Sequence, residues 1–251
     1  MRKTILFMAA FALVFCGYLG LKLAGVHAQS LTPYTLYQHQ TSLNPETGVE
    51  KTMNFRVTAF SSAGSRMVKF HDVPWNFDQR WITTVDGVSK ETWDDAKVVS
   101  SVRTPQPGPV LNPADPSKGC LTNKADGKPL WVGFVATSDA TIAGISVKVI
   151  KQVIGGKSYT RSLAPSLDCV PFATSSEYQH DATAILYTDR VDLSEPDQAA
   201  FKVDSDYSEL PYSTALLKHL ALTGRGDPAL LSDTMSKQMA DRDVVYAAHR
   251  P

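Results

Sequence analysis

The chain has 251 residues, and its 25 basic and 25 acidic side chains give a formal net charge of zero at neutral pH. No long block of like charge interrupts this balance. A nucleic-acid-binding protein or a protein held on anionic lipid by its charge carries a basic footprint, which is absent from this sequence. The composition therefore excludes a nucleic-acid partner.

The first 28 residues have the features of a secretory signal peptide. They begin with Arg2 and Lys3, run apolar from Ile5 to Leu21, and end in the small-residue pattern of Val26 and Ala28. We predict cleavage after Ala28 and a periplasmic or secreted mature protein. An uncleaved membrane anchor is the alternative, although the apolar run is shorter than the roughly 20 residues of a typical spanning helix.

Two cysteines, Cys120 and Cys169, lie beyond the signal segment, which contains Cys16. Paired cysteines in an exported protein indicate a disulfide, since the compartment is oxidising. Closing this loop would stabilise the fold by ~4 kcal/mol in the chain-entropy model. A reactive thiol would need a neighbouring base, and a metal site would need more soft ligands. We predict a disulfide and neither a metal nor a cofactor.

Short β-branched and aromatic segments separated by turn signals fill most of the mature chain. Asn-Pro and Gly mark one turn at 44–48, and Gly155-Gly156 marks another. The pattern predicts about nine to eleven strands in an antiparallel meander. The predicted strands cover residues 34–43, 53–60, 66–71, 80–85, 97–103, 130–137, 141–154, 157–164 and 183–193. We expect a mainly β fold, a curved antiparallel sheet or half-barrel.

Three further segments complete the predicted organisation. Residues 29–210 form the β domain, and within them residues 104–119 form a proline-rich excursion, because dense proline cannot pair inside a sheet. A domain boundary in this excursion is the competing interpretation. Residues 211–251 form a C-terminal helical segment, with helical spacing of apolar residues at 211–222 and 227–249.

No known catalytic motif occurs in the sequence, so we name no catalytic residue and regard an enzyme as the less favoured class. His71 and His180 each stand beside an aspartate. Neighbours along a strand point to opposite faces of the sheet and rarely bond as a pair. A hydrolase that uses His71 or His180 remains the third alternative.

The tryptophans suggest a binding surface. Large rings on the concave side of a curved sheet would line an apolar groove for a ligand. The alternative is that they fill the core beneath the terminal helices. The candidate ligand-binding residues are Trp75, Trp81, Trp93 and Trp131.

Residues 141–210 carry a family resemblance. The segments GISVKVI, SLAPSLDC and VDLSEPDQAAFKVDSDYSEL stand in the order seen in exported bacterial proteins of unknown function. Ser194, Gln198 and Asp204 depart from the Gly, Pro and Pro of that pattern. These proteins resemble the LolA/RseB-like class of periplasmic lipoprotein carriers and sigma-factor regulators. The resemblance implies a half-barrel whose concave face holds apolar ligands beneath helices, and it supplies no catalytic residues.

The leading hypothesis is an exported, non-enzymatic binding protein that holds an apolar or lipid moiety on a curved sheet. The alternative is an envelope structural or assembly protein that acts through protein–protein contacts. An apolar groove would favour the first function, and a filled core would favour the second.

Overall fold

The computed structural model describes residues 31–44, 46–103, 108–109, 111–131, 133–177, 183–223 and 233–249. The predicted signal segment and the cleavage position after Ala28 lie outside these ranges. Within them, no helix combines the length and the apolar character that crossing a membrane requires.

The described chain forms one large curved, open sheet of 12 strands with C-terminal helices, which confirms the predicted mainly β fold. The strands are β1 (Tyr34–Leu43), β2 (Glu50–Phe60), β3 (Arg66–Asp72), β4 (Phe77–Thr83), β5 (Val88–Trp93), β6 (Val98–Arg103), β7 (Phe134–Ile142), β8 (Ile145–Ile154), β9 (Lys157–Ala164), β10 (Val170–Glu177), β11 (Thr183–Asp192) and β12 (Ser208–Glu209).

Two meanders join to make the sheet. Strands β1 to β6 pair successively and antiparallel, and so do β7 to β11. The two sets meet where β1 pairs with β11. The outer edges are β7 on one side and the two-residue β12, parallel to β6, on the other. The chain between β6 and β7 therefore has to pass from one end of the sheet to the other.

The segment 141–154, predicted as one strand, contains a hairpin. Strand β7 ends at Ile142 and β8 begins at Ile145, with Ala143 and Gly144 at φ 48° and 79° between them. β-branched residues continue on both sides of this turn, so the pattern by itself does not reveal it. Strands β5 and β10 were also missed, because β5 contains Ser, Lys and Glu and β10 begins beside Pro171.

One face of the sheet is overlaid by the chain between β6 and β7 and by the C-terminal helices. Residues directly opposite each other on neighbouring strands share a face. Tyr34 pairs with Phe60, Phe60 with Arg66, Arg66 with Thr83, and Thr83 with Ser89. We call the face that carries these residues, and those at alternate positions along the same strands, the covered face.

The C-terminal helices lie at the β6 end of the covered face. Helix α1 (Tyr212–Leu222) places Ala215 in a buried cluster with Trp93 and Val98. Helix α2 (Asp233–His249) is linked to β5 by an ion pair 2.6 Å long between Arg242 and Glu91. The predicted helix 227–249 is thus described from residue 233 onward.

The crossover from β6 to β7 lies over the middle of the same face. Leu111 packs on the buried cluster that contains Tyr34, Leu36 and Phe60. Pro109 lies against Gly64 in the turn between β2 and β3. A Cβ built on Gly64 would be 2.5 Å from the Pro109 Cβ, and Gly64 has φ +96°. Only glycine meets both the backbone conformation and the close approach of the crossover.

We expect Gly64→Ala to lower the free energy of unfolding by more than 2 kcal/mol, about 1 kcal/mol from positive φ and the rest from the collision with Pro109. Gly127→Ala is the matched control, because Gly127 has φ +67° and nothing within 4 Å of the added Cβ. Urea unfolding measures both variants. Equal losses would show that Pro109 does not press on this turn.

Candidate functional site

The disulfide predicted from the sequence is present. Cys120 in the crossover and Cys169 before β10 are joined, with their Cα atoms 5.7 Å apart. Both residues are fully buried. The bond fastens the crossover to the far half of the sheet.

A compact apolar cluster surrounds the disulfide. Ala114, Ile150 and Leu163 are buried with it. The Trp131 indole N–H donates to the Cys120 carbonyl oxygen at 2.8 Å. The Arg161 guanidinium lies 5.2 Å from the centre of the Trp131 ring. Trp131 thus packs against the crosslink at one end of the covered face.

Polar contacts tie the crossover down beside the crosslink. The Asn112 backbone N–H donates to the Asp168 carboxylate at 2.6 Å, and the Asn112 side-chain amide donates to the Cys169 carbonyl at 3.2 Å. Lys124 forms an ion pair with the same carboxylate. The charge of Asp168 is therefore already neutralised within the crossover.

Aromatic side chains line the covered face next to the helices. The Phe70 ring lies 6.4 Å from Phe77 and 6.1 Å from Trp81, centre to centre. Phe77 contacts His219 of α1 at 4.7 Å. All three rings are half-buried and belong to none of the described core clusters. We call Phe70, Phe77 and Trp81 the aromatic row.

The four candidate tryptophans do not converge on one cavity. Trp81 lies in the aromatic row. Trp93, on the next strand, is 1% exposed and packs against Tyr212 of α1 at 5.6 Å between ring centres. Trp75 is 39% exposed in the turn between β3 and β4. Trp131 belongs to the disulfide cluster. Trp81 is therefore the tryptophan best placed to meet a ligand on the covered face.

Beyond the aromatic row the covered face becomes polar and positively charged. Arg56 lies directly opposite Phe70, and Arg66 lies opposite Phe60. Burial, and then the charge of Arg66, lower the pKa of Arg56 to about 10. At neutral pH, Arg56 therefore keeps its positive charge. Sequence analysis missed both arginines, because a single Arg in a strand is usually a solvated residue and only strand register brings this pair together.

Tyr34 lies beside this polar region. Its ring stacks on Phe60 with centres 5.4 Å apart, and it is 4% exposed. Burial raises the pKa of Tyr34 to about 12, and the positive charges of Arg66 and Arg56 act in the opposite direction. The hydroxyl therefore keeps its proton and supplies no negative charge to the arginines.

Three histidine–aspartate pairs occur in the described chain, on separate parts of the fold. His71 contacts Asp78 of the next strand at 3.0 Å rather than its sequence neighbour Asp72. His219 contacts Asp95 at 2.8 Å. His180 lies outside the described residues. The His219–Asp95 pair borders the aromatic row, because the Phe77 ring contacts His219.

The third pair lies on the opposite face of the sheet, at a shallow cavity of about 500 Å³. His39 contacts Asp189 at 2.8 Å, and Tyr187 stacks on His39 with ring centres 5.0 Å apart. The Thr41 hydroxyl donates to Glu50 at the cavity wall. The cavity lining is mainly polar, unlike the aromatic row.

Within the described ranges, no three His, Cys, Asp or Glu side chains are grouped closely enough to hold a metal ion. The chemistry that the described covered face offers is therefore apolar contact from its rings and hydrogen bonding and positive charge from its arginines.

We expect Cys120→Ala combined with Cys169→Ala to lower the free energy of unfolding by ~4 kcal/mol, because the unfolded chain regains the freedom of a closed 49-residue separation. Denaturant unfolding of the double variant measures the loss. Reduced wild-type protein should match it. An unchanged unfolding midpoint would show that the crosslink does not hold the crossover.

The raised pKa of Tyr34 predicts a loss of stability in alkali. The unfolded chain releases this proton near the ordinary value of 10, whereas the folded chain holds it to about 12. Stability from Tyr34 is thus complete below pH 10 and is lost as pH rises toward 12, by roughly 1 kcal/mol at pH 11. Tyr34→Phe should flatten the decline between pH 9 and 11 in urea unfolding. An unchanged slope would contradict this assignment.

No protein-family model matches the chain, and no curated protein matches it. The structure of PNGF-II aligns with a TM-score of 0.35 and 10% identity over 74% of this chain and 32% of that chain, so this chain spans about a third of PNGF-II. The LolA superfamily protein NE2245 from Nitrosomonas europaea aligns at 0.28 and 7%, covering 69% of this chain and 91% of that one. An outer membrane lipoprotein-sorting protein domain from Vibrio parahaemolyticus aligns at 0.29 and 8%, covering 68% and 89%. These TM-scores lie below 0.5, so the likenesses assign no site residue or chemistry to this chain.

Proposed function

We propose that the protein is an exported, non-enzymatic binding protein that holds an acyl chain or similar apolar moiety on the covered face of its sheet. One observation carries this function. The Phe70 ring contacts those of Phe77 and Trp81 on that face, and all three rings are only half-buried.

Energetics support an apolar ligand at this position. Aromatic side chains of a filled core are normally enclosed, as Trp93 is beneath α1. Completing the burial of one large apolar side chain stabilises a complex by roughly 1.5–3 kcal/mol. A chain lying along the row would contact three rings on strands β3 and β4.

Export is supported by the disulfide. Structural disulfides persist in oxidising compartments and are rare in reducing ones. Cys120 and Cys169 are fully buried, so the bond serves the fold rather than reactivity. A periplasmic or secreted protein, as proposed from the signal segment, would form this bond on folding.

We expect Trp81→Ala to weaken binding of monoolein, a neutral single-chain lipid, by about 10-fold or more, because 1.4 kcal/mol corresponds to a factor of ten. Trp75→Ala is the matched control. It removes the same side chain from the exposed turn, and the affinity should remain within about 2-fold. Isothermal titration calorimetry with the exported protein measures both.

Native mass spectrometry and solvent extraction of the purified protein give a second readout. A co-purifying lipid that is depleted in the Trp81→Ala variant would support the proposed function. Failure of the wild-type protein to bind monoolein and to retain any lipid would contradict it.

The exposed edge of the sheet favours assembly through protein contacts as a second candidate function. Strand β7 is exposed along almost its whole length, with Val135 61% exposed, and no described strand pairs with its outer side. An unpaired edge can accept a strand from another chain. Discrete protein partners and no lipid in a pull-down from envelope extracts would favour this function.

A further inference from the structure

We propose that Arg56 and Arg66 form an anion site on the covered face, which binds the phosphate or carboxylate headgroup of an acyl-chain ligand. This inference rests on the function proposed above, because the aromatic row beside the arginines would hold the chain. The ligand class would then be an anionic single-chain amphiphile rather than a neutral lipid.

Arg56 and Arg66 lie on the face of the sheet that carries the aromatic row. Arg56 on β2 lies directly opposite Phe70 of the aromatic row. Arg66 on β3 lies opposite Thr83, two residues along β4 from Trp81. Residues in register on neighbouring strands share a face, so both guanidinium groups extend from the surface that carries the rings. A headgroup at the arginines thus places its chain on the row.

The two arginines have no counter-charge paired with them among the described residues. Within the described chain, the Arg56 Nε donates to Thr58 Oγ1 alone, at 3.3 Å. The Arg66 Nε is buried and has no hydrogen-bond partner in the ranges that the structure describes. Among the described residues, neither arginine forms an ion pair. Half-buried charges are normally paired, since leaving water without a partner is costly.

Two other arginines that pack on this sheet have carboxylate partners. Arg80 pairs with Asp94 at 3.3 Å, and Arg242 of α2 pairs with Glu91 at 2.6 Å. Both pairs have side chains that are largely shielded from solvent. Arg56 and Arg66 differ from these two arginines in forming no ion pair among the described residues.

The arginine pair lies near Tyr34, Asp168 and Gln38, which are neutral or already bonded. Tyr34 is neutral and buried, and Asp168 is already bound by Lys124 and the Asn112 N–H. Gln38, near the same region, donates to the Pro171 carbonyl at 2.9 Å and to Thr188 at 3.1 Å. Of these neighbours, Tyr34 and Gln38 provide hydrogen-bonding groups, and the carboxylate of Asp168 is already paired.

The two guanidinium groups repel each other. The charge of Arg66 contributes to lowering the pKa of Arg56, so the two guanidinium groups act on each other. An oxyanion between them would satisfy the Arg66 Nε and relieve this repulsion. The planar guanidinium fork binds phosphate and carboxylate in a two-point geometry that Lys cannot reproduce.

The test compares two lipids that differ only in the phosphate. Oleoyl lysophosphatidate and monoolein share a glycerol and an acyl chain, and inorganic phosphate supplies the anion alone. Titration calorimetry is run with the full exported protein. We expect Arg56→Gln and Arg66→Gln each to weaken lysophosphatidate binding by about 10-fold or more, since each variant removes charge-assisted hydrogen bonds to the phosphate.

The same variants should leave monoolein binding within about 2-fold. Arg190→Gln is the matched control, because Arg190 is exposed and stacks on Tyr37 of the opposite face at 4.0 Å. It should leave lysophosphatidate binding unchanged. In the absence of ligand, Arg66→Gln should not lower the unfolding midpoint, because it removes an unpaired charge.

The outcomes separate this inference from the proposed function. Unchanged lysophosphatidate binding, an equal loss for both lipids, or marked unfolding of Arg66→Gln would overturn the anion site while monoolein binding still supports the apolar site. Phosphate binding that depends on both arginines, with no lipid binding, would support the anion site and contradict the proposed function. Binding of none of the three probes would overturn both.

Discussion

The pairing of β1 with β11 is the constraint on which the rest of the structure depends. It joins residues Thr35–Leu43 to Thr183–Asp192, nearly 150 positions apart, and so merges two local meanders into one sheet. The pairing places β6 and β7 near opposite edges. Because they are consecutive along the chain, the segment between them has to cross a face of the sheet, and it crosses the face that the C-terminal helices also cover.

Closing such a distant contact is entropically costly, and the structure offsets this cost at the crossover. The Cys120–Cys169 disulfide, the Asp168 contacts and the approach of Pro109 to Gly64 all hold the crossover against the sheet. These three contacts lie in different places along the segment. The described parts of the crossover are therefore fastened to the sheet at several positions.

The covered face has packed apolar side chains at its two overlaid ends and a different chemistry between them. Helix α1 encloses Trp93 at one end, and the half-buried Trp131 packs against the disulfide cluster at the other. The aromatic row and the arginine pair lie between these enclosed regions. Half-buried rings and unpaired charges are what a packed core normally eliminates, and their presence together supports the ligand-binding role that we propose for this region.

The sequence by itself determined the mainly β class and the cysteine pairing. It also predicted that the protein is exported. Alternation of apolar residues is a local property, and with only two cysteines beyond the signal segment a single intramolecular pairing is available. The bounds of β1 and β9 were also predicted correctly, because turn residues flank both strands. The hairpin between β7 and β8 was missed, because β-branched residues continue through it.

Only the tertiary structure decided which side chains meet. The four tryptophans are alike in sequence, yet strand register and helix packing send them to an exposed turn, a half-buried row, a closed core and the disulfide cluster. Arg56 and Arg66 carry no motif, and the hairpin between β2 and β3 brings them to one face. A residue's partners across a sheet depend on pairing between distant segments, and local sequence patterns carry no record of that pairing.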